Sequence, residues 1–214
     1  MKLKNVMIFL ALVVSCEQVF SHALRLSQLS SVVEGSRERF HGLRDFRPVL
    51  DRVLYRGGGS GGQIQLRTNQ LQALCTDGFS GAVYLYPTNF TGPQTLSCGN
   101  NSIHYVHSGF RAKPAEDTLR AIHQVIQSQS TAAPKGPVFV HCWNGWHASG
   151  EISAYALRQF CDMSGNDAAE YWADNVGDKG NLSKYGSIMN RIRNFQKISG
   201  LEITAEEKSR ICPK

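Results

Sequence analysis

Residues 136–150 read GPVFVHCWNGWHASG. The apolar run at 137–140 predicts a short buried strand in the centre of a sheet, and the residues from Ser149 onward predict a helix. The connection between them is short and contains Gly145. A loop that leads from the carboxyl end of a strand into the amino end of a helix gathers backbone N–H groups, and the helix dipole favours an anion there. Cys142 begins this loop, where the same field stabilises a thiolate.

The rest of the chain alternates predicted strands with predicted helices, which indicates an α/β fold with a central, mostly parallel sheet flanked by helices. The predicted strands are PVLDRVLYR, which leads into a glycine-rich turn, then SGAVYLY, SIHYVHSGF and PVFVHC. The predicted helices are TNQLQALCTDGF, KPAEDTLRAIHQVIQSQS, SGEISAYALRQFC, SGNDAAEYWADNVG and SKYGSIMNRIRNFQKISG. The segment TNFTGPQTLSCGNN is predicted to be a loop, and the polar tail is expected to be held by Cys212.

The amino-terminal residues have the pattern of an export signal. Lys2 and Lys4 precede the apolar run VMIFLALVV, which is typical of a secretory signal peptide. Small residues predict cleavage after Ser21 or Ala23. We therefore assign 1–21 to a signal peptide, 22–48 to an amino-terminal extension and 49–214 to one globular domain, which suits a chain of 214 residues that is 42% hydrophobic.

A second route of export stays open. The residues VVSC resemble a bacterial lipobox, in which case the signal would cover 1–15 and Cys16 would carry a lipid. The protein is thus expected to be secreted or periplasmic, or to be lipid-anchored to the cell envelope. Membrane attachment is expected only if Cys16 is lipidated.

Cysteine usage fits an oxidising compartment. Of six cysteines, five remain when Cys16 is set aside, and an even subset of these should pair. The predicted pairs, Cys75–Cys98 and Cys161–Cys212, close plausible loops and leave Cys142 free. The alternative is that all the thiols are buried and reduced.

The net charge and the spacing of the histidines limit the classes of partner that we expect. The formal net charge is +6, but the basic residues are dispersed rather than clustered in a stripe, so nucleic acid is not an expected partner. A modest basic excess suits a phosphorylated or otherwise acidic substrate. The histidines lack compact metal-binding spacing, apart from His104 and His107 on one predicted strand. We expect no metal, no cofactor and a monomer.

The quoted loop resembles that of a known superfamily. VFVHCWNGWHASG is similar to the loop of the dual-specificity and protein-tyrosine phosphatases, which reads His-Cys, five residues, Arg, Ser or Thr, Gly. The segments VLYRGGGSGGQ, GAVYLYP and YVHSGFRAKPAEDTLRAIHQVI are also similar to segments of compact members. The resemblance covers residues 49–161 and implies a compact cysteine-phosphatase-like domain.

The resemblance implies roles for individual residues. Cys142 would be the nucleophile, Ser149 would assist breakdown of the phosphoenzyme, and His141 would support the thiolate. The backbone of 143–149 would hold the phosphate. The residues expected to line the substrate site are Trp143, Asn144, Gly145, Trp146, Ala148, Gly150 and Arg111.

Two positions depart from the superfamily pattern. Ala148 stands where the superfamily has the arginine that grips two phosphoryl oxygens. The superfamily's general acid is an aspartate in a loop before the cysteine, and here the nearest candidate is Asp117, which also suits the first turn of a helix. Three residues are candidates to replace the missing positive charge: His147 when protonated, Arg111 and Arg56.

These observations leave three hypotheses for function. The first is an exported cysteine-dependent phosphatase that hydrolyses a phosphomonoester, either a phosphorylated small molecule or a phosphoprotein, through Cys142. The second is an inactive pseudophosphatase that binds phosphate or another anion in the same loop. The third is sulfur transfer at Cys142, which also uses a loop cysteine beneath a helix dipole.

Overall fold

A six-stranded mixed sheet forms the centre of the protein. The computed structural model describes residues 40–59, 65–86, 90–92, 94–108, 112–176 and 182–213. The strands are β1 (Arg44–Leu50), β2 (Leu54–Gly58), β3 (Gly81–Tyr84), β4 (Gln94–Cys98), β5 (Asn101–His107) and β6 (Val138–Cys142). The helices are α1 (Thr68–Thr76), α2 (Ala112–Ser128), α3 (His147–Phe160), α4 (Gly165–Val176), α5 (Gly186–Arg193) and α6 (Ala205–Ile211), and a 3-10 turn covers Leu182–Tyr185.

The strand order is β1-β2-β6-β3-β5-β4. β2, β6, β3 and β5 are parallel to one another, whereas β1 and β4 pair in the antiparallel sense at the two edges. The predicted α/β fold with a mostly parallel sheet is therefore confirmed. Because β6 lies in the interior of the sheet, all five of its residues are buried, which explains the apolar run Val138–Val140.

The two faces of the sheet carry separate apolar layers. On one face, Leu54 and Val140 pack with residues of the larger helices, including Leu119, Ile152 and Trp172. On the other face, the side chains of β2, β3, β5 and β6 pack against α1. Alternation of side chains along each strand assigns neighbouring residues to opposite layers. Cys142 consequently belongs to the face that carries α3.

The structure corrects three expectations in the secondary structure. The predicted strand PVLDRVLYR is a hairpin of β1 and β2, because a turn at 51–53 reverses the chain. Part of the predicted loop TNFTGPQTLSCGNN is the edge strand β4. The sheet also begins at Arg44, so residues 44–48 belong to the domain rather than to an extension. Burial of Leu43 and Phe46 explains why this edge is part of the core.

Two disulfides join the helices to the rest of the domain. Cys75 in α1 pairs with Cys98 at the end of β4, and Cys161, directly after α3, pairs with Cys212, directly after α6. Both predicted pairs are confirmed, and Cys142 is the free cysteine among the described residues. Disulfides of this kind persist in oxidising compartments.

Several expectations concern parts of the chain outside the described residues. These are the signal peptide at 1–21, the lipidation site Cys16, residues 60–62 of the glycine-rich turn and Arg111. Within the described ranges, none of the helices is both long enough and apolar enough to cross a bilayer.

Removal of either disulfide should destabilise the domain. A disulfide restricts the unfolded chain, and in the chain-entropy treatment the Cys161–Cys212 link contributes about 4 kcal/mol and the Cys75–Cys98 link about 3 kcal/mol. The double variants Cys161→Ser/Cys212→Ser and Cys75→Ser/Cys98→Ser should therefore unfold at lower urea concentration than the wild type. Unchanged urea midpoints for both variants would show that neither link supports the fold.

Candidate functional site

Cys142 lies at the carboxyl end of β6, next to the amino end of α3. Its side chain is only 3% exposed, and its Sγ atom lies 3.5 Å from the Oγ atom of Ser149. Ser149 belongs to the first turn of α3 and is also buried. The strand and the helix thus bring together the two residues for which sequence predicted the nucleophile and the hydroxyl partner. We call residues 142–149 the Cys142 loop.

Glycines at and directly after the end of β2 hold the Cys142 loop through the backbone. The N–H of Gly59 donates hydrogen bonds to the carbonyl oxygens of Cys142 (2.9 Å) and Trp143 (3.0 Å). A Cβ atom on Gly58 would lie 2.5 Å from the Trp143 carbonyl oxygen. Gly145 has a φ of +82°, and a Cβ there would lie 2.7 Å from the backbone of β2. The two backbones therefore touch where side chains would not fit.

Side chains from β1 hold the middle of the loop. Arg44 donates from Nη1 to Oδ1 of Asn144 at 2.7 Å. Trp146 donates from Nε1 to Oδ2 of Asp45 at 2.6 Å. Two residues that were predicted to line the site are therefore tied to the sheet edge, and they fix the path of the backbone between Cys142 and α3.

Arg56 approaches the loop from the core. Its side chain is completely buried, and Nη2 donates to the carbonyl oxygens of Gly145 at 2.6 Å and Trp146 at 2.9 Å. A Cβ on Gly150 would lie 2.8 Å from that same nitrogen. The guanidinium group therefore lies against both the loop and the first turn of α3.

The amino end of α3 carries no side-chain cap from the described residues. Helices leave their first N–H groups without partners inside the helix, so such an end attracts an acceptor or an anion. On the outer side of this end, Trp172 of α4 donates from Nε1 to the His147 carbonyl oxygen at 3.1 Å. Ala148, for which the resemblance predicts the position of an arginine, is only 2% exposed.

His141 is neutral and lies on the other face of the sheet. Tyr105 accepts a hydrogen bond from the Leu66 N–H, and its hydroxyl also forms a hydrogen bond of 3.0 Å with Nε2 of His141. Burial lowers the pKa of His141 to about 3. The ring packs against Phe139, with centroids 5.6 Å apart. His141 thus holds β6 from the sheet face opposite to Cys142, and because it is neutral it provides no positive charge to stabilise the Cys142 thiolate.

Several aromatic side chains belong to the Cys142 loop or lie close to it. Trp143 is 44% exposed and is the exposed large hydrophobic residue of the described chain. The His147 ring stacks on Tyr185, with centroids 3.9 Å apart. Burial raises the pKa of Tyr86, and the charges of Cys142 and Tyr185 act in the same direction. Tyr86 is therefore close enough to both groups to interact with them electrostatically.

The structure adds four residues to the site. Tyr86, Tyr185, Arg44 and Asp45 were not predicted. Tyr86 had a usable signal, since it follows a strand that is parallel to β6, whereas the other three arrive through contacts distant in sequence. Asp117, the candidate general acid, has an exposed side chain on α2.

Comparisons with protein families and with curated proteins found no match. The described residues also contain no group of three or more His, Cys, Asp or Glu side chains placed to hold a metal ion. The functional interpretation therefore depends on the geometry of the Cys142 loop.

Substitution of Gly58 should disturb this loop. Gly58→Ala places a methyl group 2.5 Å from the Trp143 carbonyl oxygen, and such overpacking costs about 1–3 kcal/mol. We expect a lower urea midpoint and faster reaction of Cys142 with a thiol reagent. Gly186→Ala is the matched control because a Cβ at Gly186 meets nothing within 4 Å. Equal behaviour of the two variants would contradict the close approach.

The neutral His141 predicts acid sensitivity of the fold. In the unfolded chain this histidine takes up a proton near pH 6.5, whereas in the folded protein its pKa is about 3. Because the unfolded state binds more protons between these values, the free energy of unfolding falls as pH is lowered through that range, by at most about 1.4 kcal/mol per pH unit.

Urea unfolding of three proteins between pH 7 and pH 4 tests this expectation. His141→Gln should lose less stability on acidification than the wild type, because it removes the group that takes up the proton. His104→Gln, at an exposed position on β5, should retain the wild-type slope. The same slope for all three proteins would show that His141 does not contribute to the acid sensitivity.

Proposed function

We propose that the protein is a cysteine-dependent phosphatase in which the Cys142 loop binds the phosphoryl group of a phosphomonoester. The observation that carries the proposal is the position of a free thiol between a central parallel strand and an uncapped helix end. Cys142 Sγ lies 3.5 Å from Ser149 Oγ, and no side chain of the described residues caps the helix. An anion and a nucleophile can therefore meet at one point.

The proposed reaction has two steps. The Cys142 thiolate attacks phosphorus, an S–P bond forms, and the bond from phosphorus to the ester oxygen breaks. The departing oxygen leaves with the bonding electron pair and takes a proton from solvent. Water then attacks the phosphocysteine, which releases inorganic phosphate and regenerates the thiolate. The Ser149 hydroxyl is placed to donate a hydrogen bond to the sulfur as the S–P bond breaks.

The leaving group should control the rate. Asp117, the candidate general acid, is exposed on α2, and Asp45, a carboxylate that contacts the Cys142 loop, already accepts a hydrogen bond from the Trp146 indole at 2.6 Å. Without a general acid, departure of an alkoxide is slow, whereas a phenolate leaves without prior protonation. We expect hydrolysis of 4-nitrophenyl phosphate to exceed that of an alkyl phosphate such as glycerol phosphate by at least about 10²-fold.

Two substitutions test the nucleophile and its partner. Cys142→Ser should abolish phosphate release, and Ser149→Ala should lower kcat by about 10²-fold through loss of a donor at the departing sulfur. Ser153→Ala is the matched control: Ser153 lies one turn later, is buried and donates only to the Ser149 carbonyl oxygen at 2.7 Å. Hydrolysis by Cys142→Ser at the wild-type rate would contradict the proposal.

A second function is favoured by one specific observation. Ala148 gives the loop no arginine of its own, and loss of such a transition-state contact lowers rates by about 10²–10³-fold. The same loop could therefore act as an anion-binding module without turnover. Suppose that the wild type does not hydrolyse aryl phosphates and that Ala148→Arg, shown by circular dichroism to be folded, does. That result would support this second function.

The proposed setting is outside the cytoplasm. The two disulfides fit an oxidising compartment, and we propose that the predicted signal peptide or a lipid on Cys16 directs the protein there. A free Cys142 in such a compartment is open to oxidation, and its burial to 3% exposure limits access to oxidants.

A further inference from the structure

Arg56 is a buried cation on the same face of the sheet as Cys142. Within β2, Leu54 and Arg56 point to one side, and Leu54 packs in the layer that contains Cys142 and α3. Arg56 pairs in register with Val140, one strand away from the loop. The side chain is 0% exposed, so its charge acts in a medium that screens it weakly.

This cation lacks a counter-charge within the described chain. Nη2 donates to two carbonyl oxygens of the loop, but Nε and Nη1 are buried without hydrogen-bond partners from the described residues. The contrast is with Arg191, which forms a bidentate ion pair with the buried Glu151 at 2.7 and 2.9 Å. A buried charge that is only partly satisfied is costly unless an opposite charge binds nearby.

The hydrogen bonds of Arg56 also orient the loop. In a trans peptide the carbonyl and the following N–H point in opposite directions, and the described chain has no cis peptide. The carbonyl oxygens of Gly145 and Trp146 face Arg56. The N–H groups of Trp146 and His147 consequently point away from it, and an anion that accepts these N–H groups lies across the loop from the guanidinium.

We propose that Arg56 supplies the positive charge that Ala148 cannot, from the side of the loop opposite to the bound anion. The Cys142 loop should therefore bind tetrahedral dianions more tightly than monoanions. The inference rests on the anion site of the proposed function but does not require turnover. Arg56 is a positioning residue: it fixes two carbonyl groups and acts on the anion through its charge, without touching it. Of the three candidates to replace the lost arginine, Arg111 lies outside the described residues and His147 stacks on Tyr185.

Two isosteric probes separate a charge effect from a structural one. Tungstate and perrhenate are both tetrahedral oxyanions of similar size, but tungstate carries two negative charges and perrhenate one. Two unit charges separated by about 7 Å interact by about 1.4 kcal/mol even at an effective dielectric constant of about 35, between the values for a protein surface and for water. Removal of the Arg56 charge should therefore reduce the preference for tungstate over perrhenate by about tenfold.

The experiment is calorimetric titration of the wild type, Arg56→Met, Arg56→Lys and Arg158→Met with both anions. We expect the ratio of the affinities for tungstate and perrhenate to be the same in the wild type and in Arg158→Met. In Arg56→Met this ratio should be about tenfold lower, and Arg56→Lys should recover part of it. Arg158 is the matched control because it also donates to two carbonyl oxygens, those of Ile192 and Arg193, at the far end of α3.

Protection of Cys142 from alkylation by iodoacetamide gives a second readout, and it needs only the wild type. Tungstate should protect this thiol at lower concentration than perrhenate does. Equal protection by the two anions, or no binding of tungstate, would overturn the role of Arg56 even if Arg56→Met fails to fold. If a folded Arg56→Met loses affinity for both anions equally, the role of Arg56 is overturned too, because that result indicates a purely structural residue.

The outcomes keep this inference apart from the phosphatase proposal. Tungstate selectivity that depends on Arg56, together with no hydrolysis of aryl phosphates, would support the inference and contradict the phosphatase. Cys142-dependent hydrolysis, together with unchanged tungstate selectivity in Arg56→Met, would support the phosphatase and contradict the inference.

Discussion

The direct contact between the backbone of β2 and the Cys142 loop is the constraint on which the site depends. A Cβ on either Gly58 or Gly145 would come within 2.8 Å of the opposing backbone, so this contact exists only because both positions lack side chains. It places the Cys142 and Trp143 carbonyl oxygens against the Gly59 N–H. With these carbonyl groups turned toward β2, the loop follows one path from the thiol to the helix.

The helix that ends the loop is fixed independently along its length. At its amino end, Trp172 of α4 bonds to the His147 carbonyl oxygen. One turn further, the buried carboxylate of Glu151 accepts from Arg191 of α5 and from Tyr155. Burial and this carboxylate together raise the pKa of Tyr155. At the carboxyl end of α3, the Cys161–Cys212 disulfide links the helix to the residue that follows α6. Movement of α3 would break several of these contacts at once, so the distance between Cys142 and Ser149 is set by the whole helical layer.

Local patterns predicted much of the fold and the centre of the site. The strand–cysteine–helix pattern indicated β6, α3 and the position of Cys142. The disulfide pairing chosen for its plausible loops, one of three that four cysteines allow, is the one observed. β4 was missed because it is a mostly exposed edge strand, flanked by glycines, with little apolar alternation. The β1–β2 turn was missed because it contains no glycine or proline. The stacking of His147 on Tyr185 and the pairing of Arg44 with Asn144 connect distant segments, which no local pattern encodes.

Trapping of a covalent intermediate tests the central claim most directly. The wild type and Cys142→Ser would be mixed with 4-nitrophenyl phosphate, quenched in acid within the first turnover and analysed by mass spectrometry. We expect one phosphoryl group on the wild-type peptide that contains Cys142 and none on the variant. Release of phosphate without a phosphoryl group on Cys142, or the same label on both proteins, would contradict the role of this thiol as the nucleophile.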